Sequence, residues 1–425
     1  MQTYRTNKNF RTVIHSGLLS QIGSGLFNIV FLVYAAHMFD AKLAISMVAL
    51  ANLMPMVLAF LTGYAADNTK KQVDRLISNR WLQTILYLLQ ALLIYLAIFR
   101  WWSFLLLVVI NIASDLISSY NSGLILPLEK KIVAKEQLES ALGLNSSLSA
   151  TVGLVSSVLG MTLFELLNSN YMLFSLINAL SFALAGLLIF VNRRDLSIFE
   201  SKRMSTSLQR PSLLHSSKHM IVFFQQNKLI MIYILLFALV NFIGPAISPL
   251  LNISLLHANK LLFVNFGWTV SLMGVVYSVG EITGSLFVND IFKGLSILQI
   301  LALDFVSLIL FSGVIIYLQN RYLMFGLFAL IGYFIGKMEP KINAFFIGQI
   351  DESILAASVG VLNTLIGVAM PLGQFLFLAA ANIFVPQLAW VLLSLASLIG
   401  LLLTIAATFK QVETTKAAVG KPLDK

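Results

Sequence analysis

The sequence contains no cysteine and few charged residues. The absence of cysteine from all 425 residues excludes disulfides and thiol chemistry. Charged side chains make up 11% of the chain and apolar ones 58%, a balance that excludes an ordinary soluble domain. The sequence also has no phosphate-binding loop, metal-ligand cluster or nucleophile–base spacing. We therefore expect a membrane protein that is not an enzyme and has no metal or cofactor.

Twelve long apolar segments run through the chain. Each is about long enough to cross a hydrocarbon core of roughly 30 Å as a helix. This pattern predicts an all-α polytopic membrane protein with twelve transmembrane helices in two six-helix bundles. The predicted spans are residues 12–36, 42–66, 77–99, 102–125, 142–167, 170–191, 229–255, 264–289, 294–318, 322–346, 357–382 and 386–410.

Basic residues are distributed asymmetrically around these spans. Of 28 Lys and Arg residues, 24 fall on one side, with Arg80 and Lys337 counted near span ends on that side. The positive-inside rule then places both termini in the cytoplasm and predicts a multi-pass protein of the cell membrane. The net charge of +10 is spread over seven inner segments, so we interpret it as an orientation signal facing anionic lipid rather than nucleic acid.

One long polar interruption divides the chain into two halves. It covers residues 192–228 and predicts a basic cytoplasmic linker between a bundle at 1–191 and a second bundle at 229–425 with a short cytoplasmic tail. A weak repeat relates Asn145 near the start of helix 5 to Asn363 near the start of helix 11. Two matching halves joined by a central linker are typical of transporters built from parallel repeats.

Polar residues recur at helical spacing on every third predicted helix. In lipid, such stripes face protein or water, so they predict a central cavity, with helix packing through small residues as the alternative. The cavity candidates are Gln21, Asn28, Asn111, Asp115 and Asn241. Trp390, at the predicted outer end of its span, is expected in the aromatic belt at headgroup level.

Three carboxyl groups lie deep within predicted spans, and they are the candidates for proton coupling. They are Asp115 in helix 4, Glu281 in helix 8 and Asp304 in helix 9. A central carboxyl costs roughly 2.5–3.5 kcal/mol to insert, so each needs a reason. Asp115 is the first candidate because it lies on a polar stripe. Asp304 belongs to a predicted peripheral helix, where a structural partner on helix 8 is the stronger expectation.

The same pattern excludes one class of substrate. No Lys or Arg is predicted at mid-membrane, where it could bind a phosphate or carboxylate, so organic anions are not expected as substrates. Neutral and cationic molecules remain.

A motif after the second span carries a family resemblance. The chain reads Gly63-Tyr-Ala-Ala-Asp67-Asn-Thr-Lys70-Lys71. This resembles the G-x-x-x-D-R-x-G-R-K signature of the major facilitator superfamily, with Asn68 and Lys70 in place of its usual Arg and Gly. The resemblance implies that Gly63, Asp67 and Lys71 are gating residues, because the acid in that family helps to lock the cytoplasmic side. It also implies a monomer.

Two further stretches resemble the macrolide-efflux branch of drug:proton antiporters. One opens helix 5 at Leu138-Glu-Ser-Ala-Leu-Gly143. The other runs from Glu339-Pro340 to Ala369-Met-Pro371-Leu-Gly373. By this resemblance Pro371 and Gly373 join the gating residues.

These features predict a secondary active transporter that exports lipophilic neutral or cationic molecules in exchange for protons. Its expected partners are a small-molecule substrate, protons and membrane lipid, without nucleic acid. The nearest alternative is an uptake permease or uniporter for a neutral nutrient, which usually needs several convergent polar groups. A non-transporting sensor or immunity protein is a third possibility, against which the embedded acids argue.

Overall fold

The structure is a computed structural model, and it describes residues 2–96, 101–134, 137–199, 228–287, 290–349 and 367–419. These residues are almost entirely helical, which confirms the predicted all-α fold. We number the helices that correspond to the predicted spans α1 to α12. They are α1 (Lys8–Ala36), α2 (Ala41–Val57 and Ala59–Asp67), α3 (Gln72–Leu96), α4 (Trp101–Ile132), α5 (Leu138–Leu166), α6 (Tyr171–Val191), α7 (Lys228–Leu255), α8 (Phe266–Leu286), α9 (Ile297–Gly313, continuing as a π-helix over Val314–Leu318), α10 (Arg321–Gln349), α11 (Ala369–Ile383) and α12 (Pro386–Val419).

Most of these helices are long and apolar enough to cross a membrane. Within the described residues, eight satisfy both conditions singly, and α2 makes a ninth if its two parts, which meet at an angle of 41°, form one span. The polar helix α3 is not among them. Its buried face carries Gln72, Asn79, Arg80, Gln83 and Gln90, which lower its hydropathy although its length suffices to span the bilayer.

Polar side chains at the loop ends start several helices. The Asn7 side chain accepts a hydrogen bond from the backbone N–H of Phe10 at the start of α1. Asp40 and Asn170 cap α2 and α6 in the same way. Ser296 begins α9 with a reciprocal capping box. Each cap satisfies backbone donors that have no partner within the helix, and so it sets the residue at which the helix begins.

The described chain forms two compact units. The first contains α1–α6 together with residues 265–272, and the second contains α7, the rest of α8, and α9–α12. In the first unit, α1 packs on α5 and α6, and α3 packs on α4 and α6. Aromatic rings fill its core, with Tyr87 lying between Phe27 and Phe182 at centroid distances of 5.2 and 5.4 Å. Residues 200–227 of the predicted linker lie outside the described residues.

In the second unit, α7 packs on α11 and α12, and α9 packs on α10 and α12. Glycines bring α8 and α10 into backbone contact, since a Cβ on Gly336 would lie 2.0 Å from the carbonyl oxygen of Glu281. Trp390 is 1% exposed, and its indole N–H donates to Ser254 Oγ at 2.8 Å. The prediction that Trp390 lies in the headgroup belt is therefore wrong. This end of α12 packs inward, because Phe311 and the Ser254 hydroxyl provide an apolar wall and a hydrogen-bond acceptor there.

Candidate functional site

The polar stripes of α1 and α4 meet in the first unit around a cavity of about 600 Å³. Two further helices contribute to it, because α3 and α5 pack against the striped helices. The described polar residues that line it are Ser20, Gln21, Ser24, Arg80, Asp115, Ser118, Ser122, Glu129, Asn145, Ser146 and Ser149. Of the predicted cavity residues, Gln21 and Asp115 thus line one cavity within this unit.

Asp115 lies on the cavity wall in the middle of α4. Asn111, one turn earlier, donates from Nδ2 to Asp115 Oδ2 at 3.1 Å, and the Tyr87 hydroxyl donates to Asn111 Oδ1 at 3.4 Å. Among the described basic side chains, none forms an ion pair with Asp115. The Asp115 carboxyl is half-buried. One of its oxygens accepts a hydrogen bond from an amide, and no described basic side chain neutralises its charge.

Arg80 also lines this cavity, which corrects a sequence-based expectation. It was expected near the inner end of its span, but the helix already begins at Gln72. At about 1.5 Å per residue, the step of eight residues from Gln72 places Arg80 about 12 Å into α3. Its side chain is buried, donates from an Nη to Gln83 Oε1 at 3.1 Å, and lies 5.7 Å from the centre of the Phe182 ring. A cation thus lies at the cavity, and anionic substrates are no longer excluded.

Gln83 connects Arg80 to the stripe of α4. Its Nε2 donates to Ser118 Oγ at 2.9 Å and to the carbonyl oxygen of Ser114 at 3.0 Å, while its Oε1 accepts from Arg80. This amide thus holds the guanidinium on α3 in register with the helix that carries Asp115. Sequence reasoning missed it, although Gln83 lies between Arg80 and Tyr87 at helical spacing.

Glu129 is a second acid of this cavity that sequence reasoning missed. It is buried in the last turn of α4, and its Oε1 accepts from Asn145 Nδ2 on α5 at 3.1 Å. The predicted span ends at residue 125, four residues before Glu129. Its position seven residues after Ser122, two turns along the polar stripe, was the available signal.

The other predicted cavity residues occupy different environments. Gln21 lines the first-unit cavity and donates from Nε2 to the carbonyl oxygen of Ser149 at 3.0 Å. Asn111 is buried beside Asp115 rather than on the cavity wall. Asn28 is exposed and lies outside this lining. Asn241 lines a different cavity, in the second unit, and donates to the carbonyl oxygen of Phe237 at 3.0 Å.

The second-unit cavity has a volume of about 620 Å³, and Asp304 is the acid on its wall. Asp304 is 0% exposed, and neither carboxyl oxygen has a hydrogen-bond partner among the described residues. The expected structural partner on α8 is thus not found there. Sequence order suggested a peripheral α9, but α9 packs between α10 and α12 and presents Asp304 inward. Glu281 is half-buried on α8 and does not line this cavity.

The predicted gating residues lie at helix ends and close contacts. Gly63 lies in the second part of α2, Asp67 is its exposed last residue, and Lys71 is exposed just before α3. Pro371 is half-buried near the start of α11. Gly373 lies against α7, where a Cβ would come within 1.8 Å of the carbonyl oxygen of Phe242.

The helices, the polar cavity and the embedded acids together define a polytopic membrane protein of the transporter type. The family description "Major Facilitator Superfamily" matches residues 13–373, and the chain belongs to this family. No curated protein matches the sequence.

Solved structures of similar fold include two classes of transporter. A mutant of the peptide transporter POT in complex with sulfate is 10% identical, with a TM-score of 0.69, covering 96% of this chain and 95% of that one. A mutant of the nucleoside transporter NupG is 12% identical, with a TM-score of 0.68, covering 93% of this chain and 99% of that one. A POT family transporter in complex with 5-aminolevulinic acid is 12% identical, with a TM-score of 0.68, covering 98% and 97%. At this identity the likeness shows the fold alone.

Proposed function

We propose that this protein is a proton-coupled exporter of lipophilic neutral or cationic small molecules, working by alternating access. The observation that carries the proposal is Asp115, a carboxyl on the wall of a polar cavity that forms no ion pair with a described basic residue. Such a group can exchange a proton with the cavity and can also attract a cation. The resemblance of the segments around Gly143 and Pro371 to macrolide-efflux proteins supports export.

The charges that line the first-unit cavity suggest how exchange would work. Arg80 contributes one positive charge, and Asp115 and Glu129 contribute two carboxyl groups, so the lining carries one net negative charge when both acids are ionised. One proton or one monovalent cation restores neutrality. Binding of either ligand then disfavours the other, because a second positive charge in a low-dielectric cavity is repelled. Exchange of a proton for a cation follows from this competition.

The remaining acids and the gating residues complete the proposal. Glu281 and Asp304 are further candidates for proton coupling. Gly63, Asp67 and Lys71 at the end of α2, with Pro371 and Gly373 in α11, would control access to the site. Asp67 and Lys71 lie on the side that the basic residues predict to be cytoplasmic, with both termini, and the protein would act as a monomer in the cell membrane.

Substrate-induced proton movement in reconstituted vesicles tests this function. We expect a panel of lipophilic drugs to release protons through the native protein, and we expect Asp115→Asn to abolish this release. Glu129→Gln removes one of the two acids that give the cavity its negative charge, so it should weaken drug-dependent proton movement. Asp195→Asn is the control, because this exposed acid pairs with Lys8 outside the cavity, and it should retain that movement. Equal proton movement in native protein and Asp115→Asn would contradict the assignment of Asp115. Drug transport without proton movement would indicate a uniporter.

A specific observation favours a second candidate, a permease for a small polar nutrient. The first-unit cavity has many convergent polar groups, and buried Arg80 can bind a carboxylate, which suits a neutral or zwitterionic molecule. Uptake of labelled zwitterions by vesicles distinguishes this candidate. It predicts saturable uptake that Arg80→Lys weakens, since an ammonium cannot replace the planar guanidinium at a bidentate site. Absence of uptake for every zwitterion tested would exclude it.

A further inference from the structure

The second unit contains an apolar cavity with one buried acid, which the account of Asp115 leaves unexplained. The cavity has a volume of about 620 Å³, within the range of small-molecule sites. Its walls are formed mainly by aromatic, aliphatic and methionine side chains, including Phe237, Phe328 and Met338. A cavity of this composition accepts a lipophilic molecule, and its few polar groups would determine the orientation of that molecule.

Asp304 is the polar group that distinguishes this cavity. The side chain is 0% exposed, lines the cavity and has no hydrogen-bond partner for either oxygen among the described residues. Burial of a carboxyl without partners is unfavourable, and buried polar groups are nearly always hydrogen-bonded. A carboxyl with a structural role is hydrogen-bonded by other groups of the protein, whereas a carboxyl that binds a ligand receives its partner from that ligand. Asp304 matches the second case.

Two lysines on α10, the helix that supplies Met338 to the cavity wall, already have partners. Lys337, which precedes the lining residue Met338, contacts both carboxyl oxygens of Asp290 at 2.6 Å. Lys341 donates to the carbonyl oxygen of Leu295 at 2.6 Å. No Lys, Arg or His is among the described residues that line the cavity. The protein thus provides Asp304 with an apolar enclosure but with no described counter-ion.

We infer that this cavity binds a lipophilic organic cation, with Asp304 as its counter-ion. This site adds a substrate-binding position to the proposed function, and it rests on the proposed function only for the class of substrate. The rings of Tyr277 and Phe328, 5.2 Å apart, line the same cavity and favour a cationic ligand through their faces. The apolar walls bind the body of the ligand, and Asp304 neutralises its charge. An anion of the same shape is rejected, because it would lie beside a buried carboxyl.

Equilibrium binding to the purified, detergent-solubilised chain tests the inference directly. The probes are tetraphenylphosphonium and tetraphenylborate, which share a shape and carry opposite charges. We expect the cation to bind saturably and the anion to bind at least tenfold more weakly, a difference of about 1.4 kcal/mol. Asp304→Asn should weaken cation binding by tenfold or more and remove the discrimination between the two ions. Asp195→Asn, at an exposed acid of the other unit that pairs with Lys8 and lines neither cavity, should leave the affinity for the cation within about twofold.

A second variant separates loss of binding from loss of folding. Asp304→Leu removes an unpartnered buried acid, so its thermal unfolding temperature should equal or exceed that of the native chain while cation binding is lost. Undiminished binding in Asp304→Asn, or equal binding of both ions to the native chain, would overturn the inference. Binding lost in Asp115→Asn but retained in Asp304→Asn would place the cation site in the first unit instead.

The outcome is also independent of transport. Cation binding that depends on Asp304, together with no drug-dependent proton movement in vesicles, would sustain the site and reject the exporter. Proton-coupled transport with no effect of Asp304→Asn on binding would reject the site and leave the exporter standing.

Discussion

Replacement of Gly373 by alanine should destabilise the protein, because α11 meets the backbone of α7 at this residue. A Cβ on Gly373 would lie 1.8 Å from the carbonyl oxygen of Phe242, 2.6 Å from its carbonyl carbon and 2.9 Å from its Cα. All three atoms belong to the backbone of a helix, so none can rotate away. The helices must separate by about 1.2 Å before the closest of these distances reaches 3.0 Å.

The change in the free energy of unfolding caused by Gly373→Ala results from two opposing effects. Glycine in a helix interior is less stable than alanine by about 0.5–1 kcal/mol, which favours the substitution. Overpacking of a close contact typically costs about 1–3 kcal/mol, which exceeds that gain. We therefore expect Gly373→Ala to lower the thermal unfolding temperature in detergent.

Gly326 on α10 provides a matched control, because no atom lies within 4 Å of its Cβ position. Gly326→Ala should leave the unfolding temperature unchanged or raise it. The pair also separates packing from gating, since a residue that only gates would alter transport without changing stability. An unfolding temperature for Gly373→Ala equal to or above that of the native chain would refute this account of the α7–α11 contact.

Two further predictions concern buried partners in the second unit. Hydrogen bonds from Lys337 and Tyr333 hold the pKa of Asp290 at about 2, below its usual 3.8. The ionised carboxylate therefore stabilises the folded protein fully above about pH 4, and this contribution is lost as the pH falls through 2. Asp290→Asn should thus lower the unfolding temperature by the same amount from about pH 5 to pH 8. The difference in unfolding temperature between the variant and the native chain should shrink only below about pH 4. A difference that already shrinks near pH 6 would contradict this. Ser254→Ala leaves the buried indole of Trp390 without its acceptor and should cost about 1–3 kcal/mol of unfolding free energy. In a Trp390→Phe background the same change should cost clearly less, and an equal cost would show that the hydrogen bond contributes nothing.

The helical period made the helices and the stripe of α4 predictable from sequence. Apolar segments of sufficient length give the twelve helices directly. The four-residue spacing of Asn111 and Asp115 places both on one face of α4, where the structure joins them by a hydrogen bond. Contacts of this kind lie within one helix, so the spacing of residues in a single sequence is enough to predict them.

The errors concern relations between helices. Arg80 was assigned to the inner end of its span because a cation beside an apolar segment was expected at the interface. In the structure the Arg80 guanidinium lies within the bundle, where it donates a hydrogen bond to Gln83 and lies over the Phe182 ring. Trp390 was assigned from its position along a helix and Asp304 from the order of the helices, whereas packing against α7, α10 and α12 decides what they contact. Those contacts depend on tertiary packing, which the helical period does not specify.

Accumulation of tetraphenylphosphonium by inside-out vesicles tests the central claim most directly. This cation carries no dissociable proton, so an acidic lumen cannot trap it passively, and a potassium clamp removes the membrane potential. The account predicts that vesicles with an acidic lumen accumulate the cation through the native protein and that Asp115→Asn abolishes the accumulation. Accumulation that is unchanged in Asp115→Asn, or that occurs equally without a pH gradient, would contradict proton-coupled export through this site.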